Sequence, residues 1–268
     1  MKNRGLFRFF FRMDLLSLVI WTSVIAAYNV VNILLFNRFG GETGIAEVYT
    51  QLPDIWKKTF GRFFISVNSI EGWLVTQFFA FLPLIIGFYT ALSSGATISR
   101  EIENHTIDSI LSQPFSRTRV ILLRIGNAYL GVLLLLIANA AVTIVTLKMA
   151  GYGQANFHHI ILSYVSVTGI STFWLGIAFL AGTSAGNQKL AVSLVAGIVI
   201  CSFLINALLV SLEISPLYGR WNPWFYFDCT HILNFNVPVK GGLIYWLVGA
   251  GAASVIGVII FTKRDFKG

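Results

Sequence analysis

Residues 99–120 read SREIENHTIDSILSQPFSRTRV, the most polar and charged stretch lying between two long apolar runs. It carries too many charges to enter a bilayer core, so it must stand in water between two segments that do enter. Within it Ile102, Thr106, Ile110 and Leu111 recur at near-helical spacing, with Glu101, Glu103 and Asp108 set between them. That is the pattern of a short amphipathic helix. Pro114 ends it, because proline offers no amide hydrogen. Ser116, Arg117, Thr118 and Arg119 then cap and begin a basic helix start at a membrane surface. A polar helical hairpin joining two spans is expected here.

The flanks decide the fold class. Of 268 residues, 56% are hydrophobic and 11% charged, against about 25% charged in soluble domains. Apolar runs at 15–37, 73–98, 120–147, 158–183, 190–212 and 242–262 are each long enough to cross a hydrocarbon core. The expected fold is an all-α polytopic membrane protein with six transmembrane helices, residues 1–268 forming a single transmembrane domain. A net charge of +8 would suggest nucleic acid in a soluble chain. Here the basic residues flank apolar runs, which argues for membrane orientation and against nucleic acid.

Residues 1–14 place Arg4, Arg8 and Arg12 at steps of four, with Leu6, Phe7, Phe10 and Phe11 over much of the remaining surface. An N-terminal interfacial helix on anionic headgroups is expected. The apolar run that follows is longer than a signal-peptide core and lacks a small-x-small cleavage site, so it reads as a retained span. Residues 38–72 and 213–241 are the expected extracytoplasmic segments. The first contains LPDIWKKTFGRFF (52–64), an amphipathic surface helix by its periodicity. The second gathers Pro216, Tyr218, Trp221, Pro223, Trp224 and Tyr226, aromatic density that belongs at a membrane interface. Pro83 should kink the second span, and Arg124 should snorkel to the surface from the start of the third.

Counting Lys and Arg on alternate sides orients the chain. One side receives Lys2, Arg4, Arg8, Arg12, Arg100, Arg117, Arg119, Arg124, Lys189, Lys263, Arg264 and Lys267, and the other Arg38, Lys57, Lys58, Arg62, Lys148, Arg220 and Lys240. The richer side is cytoplasmic, so both termini and the hairpin are expected inside.

The hairpin residues Glu101-Ile-Glu103-Asn-His105-Thr106 and Ile110-Leu111-Ser112-Gln113-Pro114-Phe115-Ser116-Arg117 resemble the intracellular hairpin of small permease subunits of type 2 ATP-binding-cassette (ABC) exporters. The pattern there runs E-x-E-x-G-T, then L-L-x-x-P-x-S-R. This chain has His105 at the glycine position, and Asn104 is the neighbour able to take a left-handed turn. Ser215-Pro216, Asp228 and the ending Thr262-Lys-Arg-Asp265 resemble the same family more loosely. The resemblance implies a permease that forms the translocation pathway in the cell membrane, paired with a second permease subunit in a homo- or heterodimer. Two copies of a separate ATPase subunit would hold the ATP and Mg, leaving this chain without a cofactor or catalytic residues. It also implies a coupling helix over 101–112, with Glu101, Ile102, Glu103, Thr106, Ile107, Asp108, Ile110, Leu111, Pro114 and Arg117 as the ATPase-coupling residues.

Other readings stay beside that one: a structural or receptor-like membrane subunit, or a membrane enzyme. The chain has no G-x-x-x-x-G-K-[ST] phosphate loop. Away from their ends the spans show no Asp, Glu, Lys or Arg, which disfavours ion-gradient coupling. Asn29, Asn32, Asn127, Asn139 and Asn206 could line a polar path or bond between helices. His158, His159 and His231 have no Cys or carboxylate cluster around them, and no metal is expected. Cys201 and Cys229 imply no disulfide framework. Gly249, Ala253 and Gly257 repeat at steps of four and would admit another helix closely, from the same chain or a partner.

Overall fold

A computed structural model describes residues 3–39, 69–104, 116–212 and 219–264. Among the described residues there is helix and no strand. Six stretches are long and apolar enough to cross a membrane: Gly5–Phe36, Ile70–Glu103, Arg117–Met149, Phe157–Ser184, Gln188–Val210 and Gly242–Lys263. The architecture is that of an all-α, multi-pass membrane protein. The surface helix expected over 52–64 lies outside the described residues.

The first helix, α1 (Asn3–Phe39), is unbroken. No separate interfacial helix ends at residue 14, because neither Gly nor Pro interrupts the sequence between Leu6 and Phe39. Leu6 and Phe10 are buried against Val120 rather than spread on a membrane surface.

The second span is built in pieces: α2 (Ile70–Leu74), a π-helical turn (Val75–Phe79), α3 (Leu82–Thr90), a second π-helical turn (Ala91–Gly95) and α4 (Ala96–Glu103). The break at Ala80 and Phe81 falls just before Pro83, whose ring and missing amide forbid a continuous ladder. Helix α4 runs five residues beyond the expected end of the span, with Ser99 and Ile102 buried along it. Asn104 then closes it at φ −90°, outside the left-handed region that it is able to take.

Among the described residues four more α-helices, and a 3-10 helix at Pro223–Tyr226, follow this span before the last helix. Ser116 caps α5 (Arg117–Met149), its Oγ accepting from the Arg119 amide at 3.3 Å. Asn156 caps α6 (Phe157–Ser184), and Asn187 caps α7 (Gln188–Ser211) with a 2.8 Å bond from the Leu190 amide. Asp228 caps the short α8 (Cys229–Phe235) by accepting from the amides of Thr230 and His231. The chain then enters α9 (Gly242–Lys263). Each cap satisfies amides that a helix start leaves unpaired.

Helix α6 is the hub, touching α5, α7, α9 and the second span. Small residues let it approach so closely: a Cβ added at Gly176 would lie 2.7 Å from the Ala250 carbonyl oxygen, and one at Gly182 would lie 2.7 Å from that of Gly95. The stripe of Gly249, Ala253 and Gly257 meets α6 of the same chain, with Phe173 over Gly249 and Thr183 beside Gly257. The apolar stretches of the second and fourth spans are 72% and 61% buried, and those of the fifth and sixth 11% and 22%. The former pair is therefore the core. Leu194, Ile198 and Leu208 on α7 and Ile244, Leu247 and Val248 on α9 present an apolar exterior suited to lipid.

The aromatic loop before α9 is only partly interfacial. Trp221 is exposed, but Trp224 is 4% exposed and Asn222 fully buried. Asn222 Nδ2 donates to the Ser202 carbonyl at 2.8 Å and Trp224 Nε1 to the Ser202 hydroxyl at 3.1 Å, while Trp246 Nε1 donates to the Pro223 carbonyl at 3.0 Å. The expectation fails for Trp224 because Ser202, on α7, offers a buried partner that headgroup water would otherwise supply.

Candidate functional site

Arg124 stands about two turns into α5 and is only 5% exposed. Its Nη2 donates to Glu101 at the end of α4, and its Nη1 lies 3.5 Å from Asp14 Oδ2 on α1. The guanidinium also sits 4.1 Å from the centre of the Phe10 ring. One turn further on, Asn127 Nδ2 donates to the same Asp14 oxygen at 2.8 Å. Three helices are thus joined through one buried cation. Arg124 does not snorkel, because two carboxylates on neighbouring helices and an aromatic face replace the water it would have sought. Asp14, Glu101 and Arg124 all lie within membrane-length stretches, each toward one end of its stretch.

Beside this cluster is a cleft whose cavity of about 30 Å³ is lined by Asp14, Tyr89, Ser93, Ser94, Thr97, Arg124 and Asn127, with Phe11, Leu18 and Phe179 on its apolar sides. Arg124 Nε and Asn127 Oδ1 are buried and have no protein partner. One wall is the π-helical turn Ala91–Gly95, the kind of irregularity that collects at functional sites. Sequence reasoning missed this site. Its signals were Asp14 at the foot of an apolar run and Ser93-Ser94 inside another.

Of the expected coupling residues, Glu101, Ile102, Glu103 and Arg117 are described; Thr106, Ile107, Asp108, Ile110, Leu111 and Pro114 lie outside the described residues. Glu101 is turned inward to Arg124 and 7% exposed, so it does not offer the outward-facing charge expected of it. Ile102 is buried too. Glu103 Oε2 accepts from the Gln188 amide at 2.9 Å, and Arg117 Nη1 donates to the Arg264 carbonyl at 2.8 Å.

The asparagines separate into bonding groups. Asn29 Nδ2 bonds the Thr143 hydroxyl and lies 3.4 Å from the Tyr164 hydroxyl, tying α1, α5 and α6 together. Asn32 and Asn139 each donate to a carbonyl one turn back on their own helix. Asn127 belongs to the Asp14 cluster, and Asn206 is half-buried on α7. Oδ1 atoms of Asn29, Asn127 and Asn139 nevertheless remain without a protein partner.

At the opposite end, His159 pairs with Asn236, and His231 Nδ1 lies 3.0 Å from the Val237 carbonyl. Among the described residues no three His, Cys, Asp or Glu gather as metal ligands. Burial pushes the Cys229 thiol well above its ordinary range, against the lowering effect of a hydrogen bond with Ser163. No family model matches this sequence, and a comparison with curated proteins gives no match.

Proposed function

We propose that this chain is the permease subunit of an ABC exporter, working as a pair with a second permease subunit and two ATPase subunits. The polar stretch 99–120 carries the proposal. It resembles the coupling hairpin of that family and is bounded by helices α4 and α5, which Glu101 and Arg124 bond to one another. A push on such a hairpin reaches both helices as a rigid-body displacement, which a loose loop would absorb. On this reading Glu103 and Asp108 meet basic residues of the ATPase, the pair encloses the export path, and both termini face the cytoplasm of a cell membrane. Glu101 holds the hairpin's helix to the bundle from within.

The test is purification of the chain from its native host, followed by mass measurement of the intact complex. A complex containing two ATPase subunits is expected. Reversal of Glu103 and Asp108 to Lys should leave the protein inserted but weaken that association. A functional monomer with no ATPase would overturn the reading.

A further inference from the structure

The turn between α6 and α7 is gripped from both sides by side chains that come from elsewhere in the chain. On one side Arg264, just past the end of α9, donates from Nη1 to the carbonyls of Thr183 at 2.9 Å and Ala185 at 3.1 Å. These acceptors lie at the C-terminal end of α6, where carbonyls lack helical partners and the dipole favours a cation. The carbonyl of Arg264 in turn accepts from Arg117 Nη1, on the first residue of α5, at 2.8 Å. On the other side Glu103, the last residue of α4, accepts from the amide of Gln188, the first residue of α7, at 2.9 Å. That is an orphan amide at a helix's positive end, met by an anion.

The consequence is geometric. Helices α4 and α5 bound the polar stretch; the foot of α4 is bonded to one flank of the turn directly, and the foot of α5 is bonded to the other flank through Arg264. The bonds bridge sequence separations of 79 to 147 residues, so no local preference produces them. All four have an ionised partner, which makes each stronger than a neutral bond.

We propose that Arg264 is a positioning residue that locks the α6–α7 turn to the two feet of the hairpin, so that the hairpin and the hub helix α6 move as one body. What that movement serves rests on the exporter reading; the lock itself does not. Displacement of the hairpin then enters α6 directly, besides passing along the second and third spans. From α6 it reaches α9 through the close crossing of Gly176 and Ala250.

The test begins with the full chain in lipid nanodiscs and amide hydrogen exchange read at Ala185 and Gln188. Arg264→Ala leaves the Glu103 contact to Gln188 untouched, and Glu103→Ala leaves the Arg264 contacts untouched. If the two grips act as one lock, each variant speeds exchange at the amide it does not touch, by roughly tenfold for the loss of one charge-assisted bond. Arg264→Lys, which keeps a donor, should retain most of the protection. Effects confined to each variant's own side would overturn the proposal. Amides in the middle of α5 report the fold; if Arg264→Ala loosens them as well, Arg264→Lys against Arg264→Gln decides by the same criterion.

A second arm uses the complex trapped with ADP and vanadate. In the wild type, protection at Ala185 should change together with protection in the hairpin, and in Arg264→Gln it should not. A hairpin that responds without Ala185 in the wild type sinks the lock. If no ATPase accompanies the chain, the exporter reading falls and the exchange arm alone judges the lock.

Discussion

A guanidinium inside a helical membrane bundle has to be answered from within the protein, and Arg124 is answered by Glu101, Asp14 and the face of Phe10. Removing one partner leaves a buried charge less compensated, which costs up to about 3–5 kcal/mol, whereas removing both ends of a pair costs less than the sum. Glu101→Ala should therefore be more destabilising alone than in the presence of Arg124→Ala. Denaturant unfolding of the four members of this cycle in mixed micelles measures it, and additive effects would show that the pair is uncoupled. Asp14 was not legible as a member, because the composition of residues 1–14 suggested a separate surface helix. The unbroken helix α1, with Phe10 and Leu6 packed on Val120, shows one element running through. Cys229 gives a second prediction. Its thiol is held protonated by burial, above the ordinary value of 9.0, so the unfolded chain releases the proton first as pH rises. Stability from this group is complete below about pH 8 and declines above about pH 9. Between those values and about pH 10 the wild type should lose more of its thermal midpoint than Cys229→Ala does. The same burial should make Cys229 react slowly with maleimide in the folded protein.

At the scale of elements, length and hydropathy marked out long helices: the apolar run 158–183 falls in α6 (Phe157–Ser184), and 242–262 in α9 (Gly242–Lys263). The Ser116 cap and the break before Pro83 were legible for the same reason, since each depends on one residue's covalent chemistry. The two π-helical turns were not. Widening a helical turn depends on what packs against it, and neither VTQFF nor ALSSG carries a local mark of it. The glycine crossings lend themselves to substitution. Gly182→Val places a side chain against the Gly95 carbonyl, backbone that cannot step aside, and should cost about 1–3 kcal/mol. Gly251→Ala meets nothing within 4 Å and should gain about 0.5–1 kcal/mol from helix propensity. Thermal unfolding of the two variants should move in opposite directions.

At the scale of the molecule, α6 and α9 run parallel, with Gly169 against Trp246, Gly176 against Ala250 and Gly257 beside Thr183. The α6–α7 turn and the end of α9 therefore share one face of the bundle, and the starts of α6 and α9 share the other. The orientation proposed above puts the first face in the cytoplasm. A cysteine replacing exposed Lys240 should react with an impermeant thiol reagent in intact cells, and one replacing exposed Gly186 only after permeabilisation. The reverse pattern would invert the topology. Six membrane-length helices were legible from polarity alone, because bilayer solvation acts on every residue alike. The Asp14, Glu101 and Arg124 cluster was not, since it is assembled from three helices that the sequence does not pair. The wide turns in the second span also have a steric consequence. Each residue added to a helix swings the side chains after it by about 100°. The start of that span, Ile70–Phe79, faces α1 and α8, while from Leu82 onward it faces α7, and its last piece, past Ala91–Gly95, aims Glu101 at Arg124. Deleting one residue from ALSSG would thus act as a twist rather than a shortening, carrying the carboxylate of Glu101 around the helix and away from its cation.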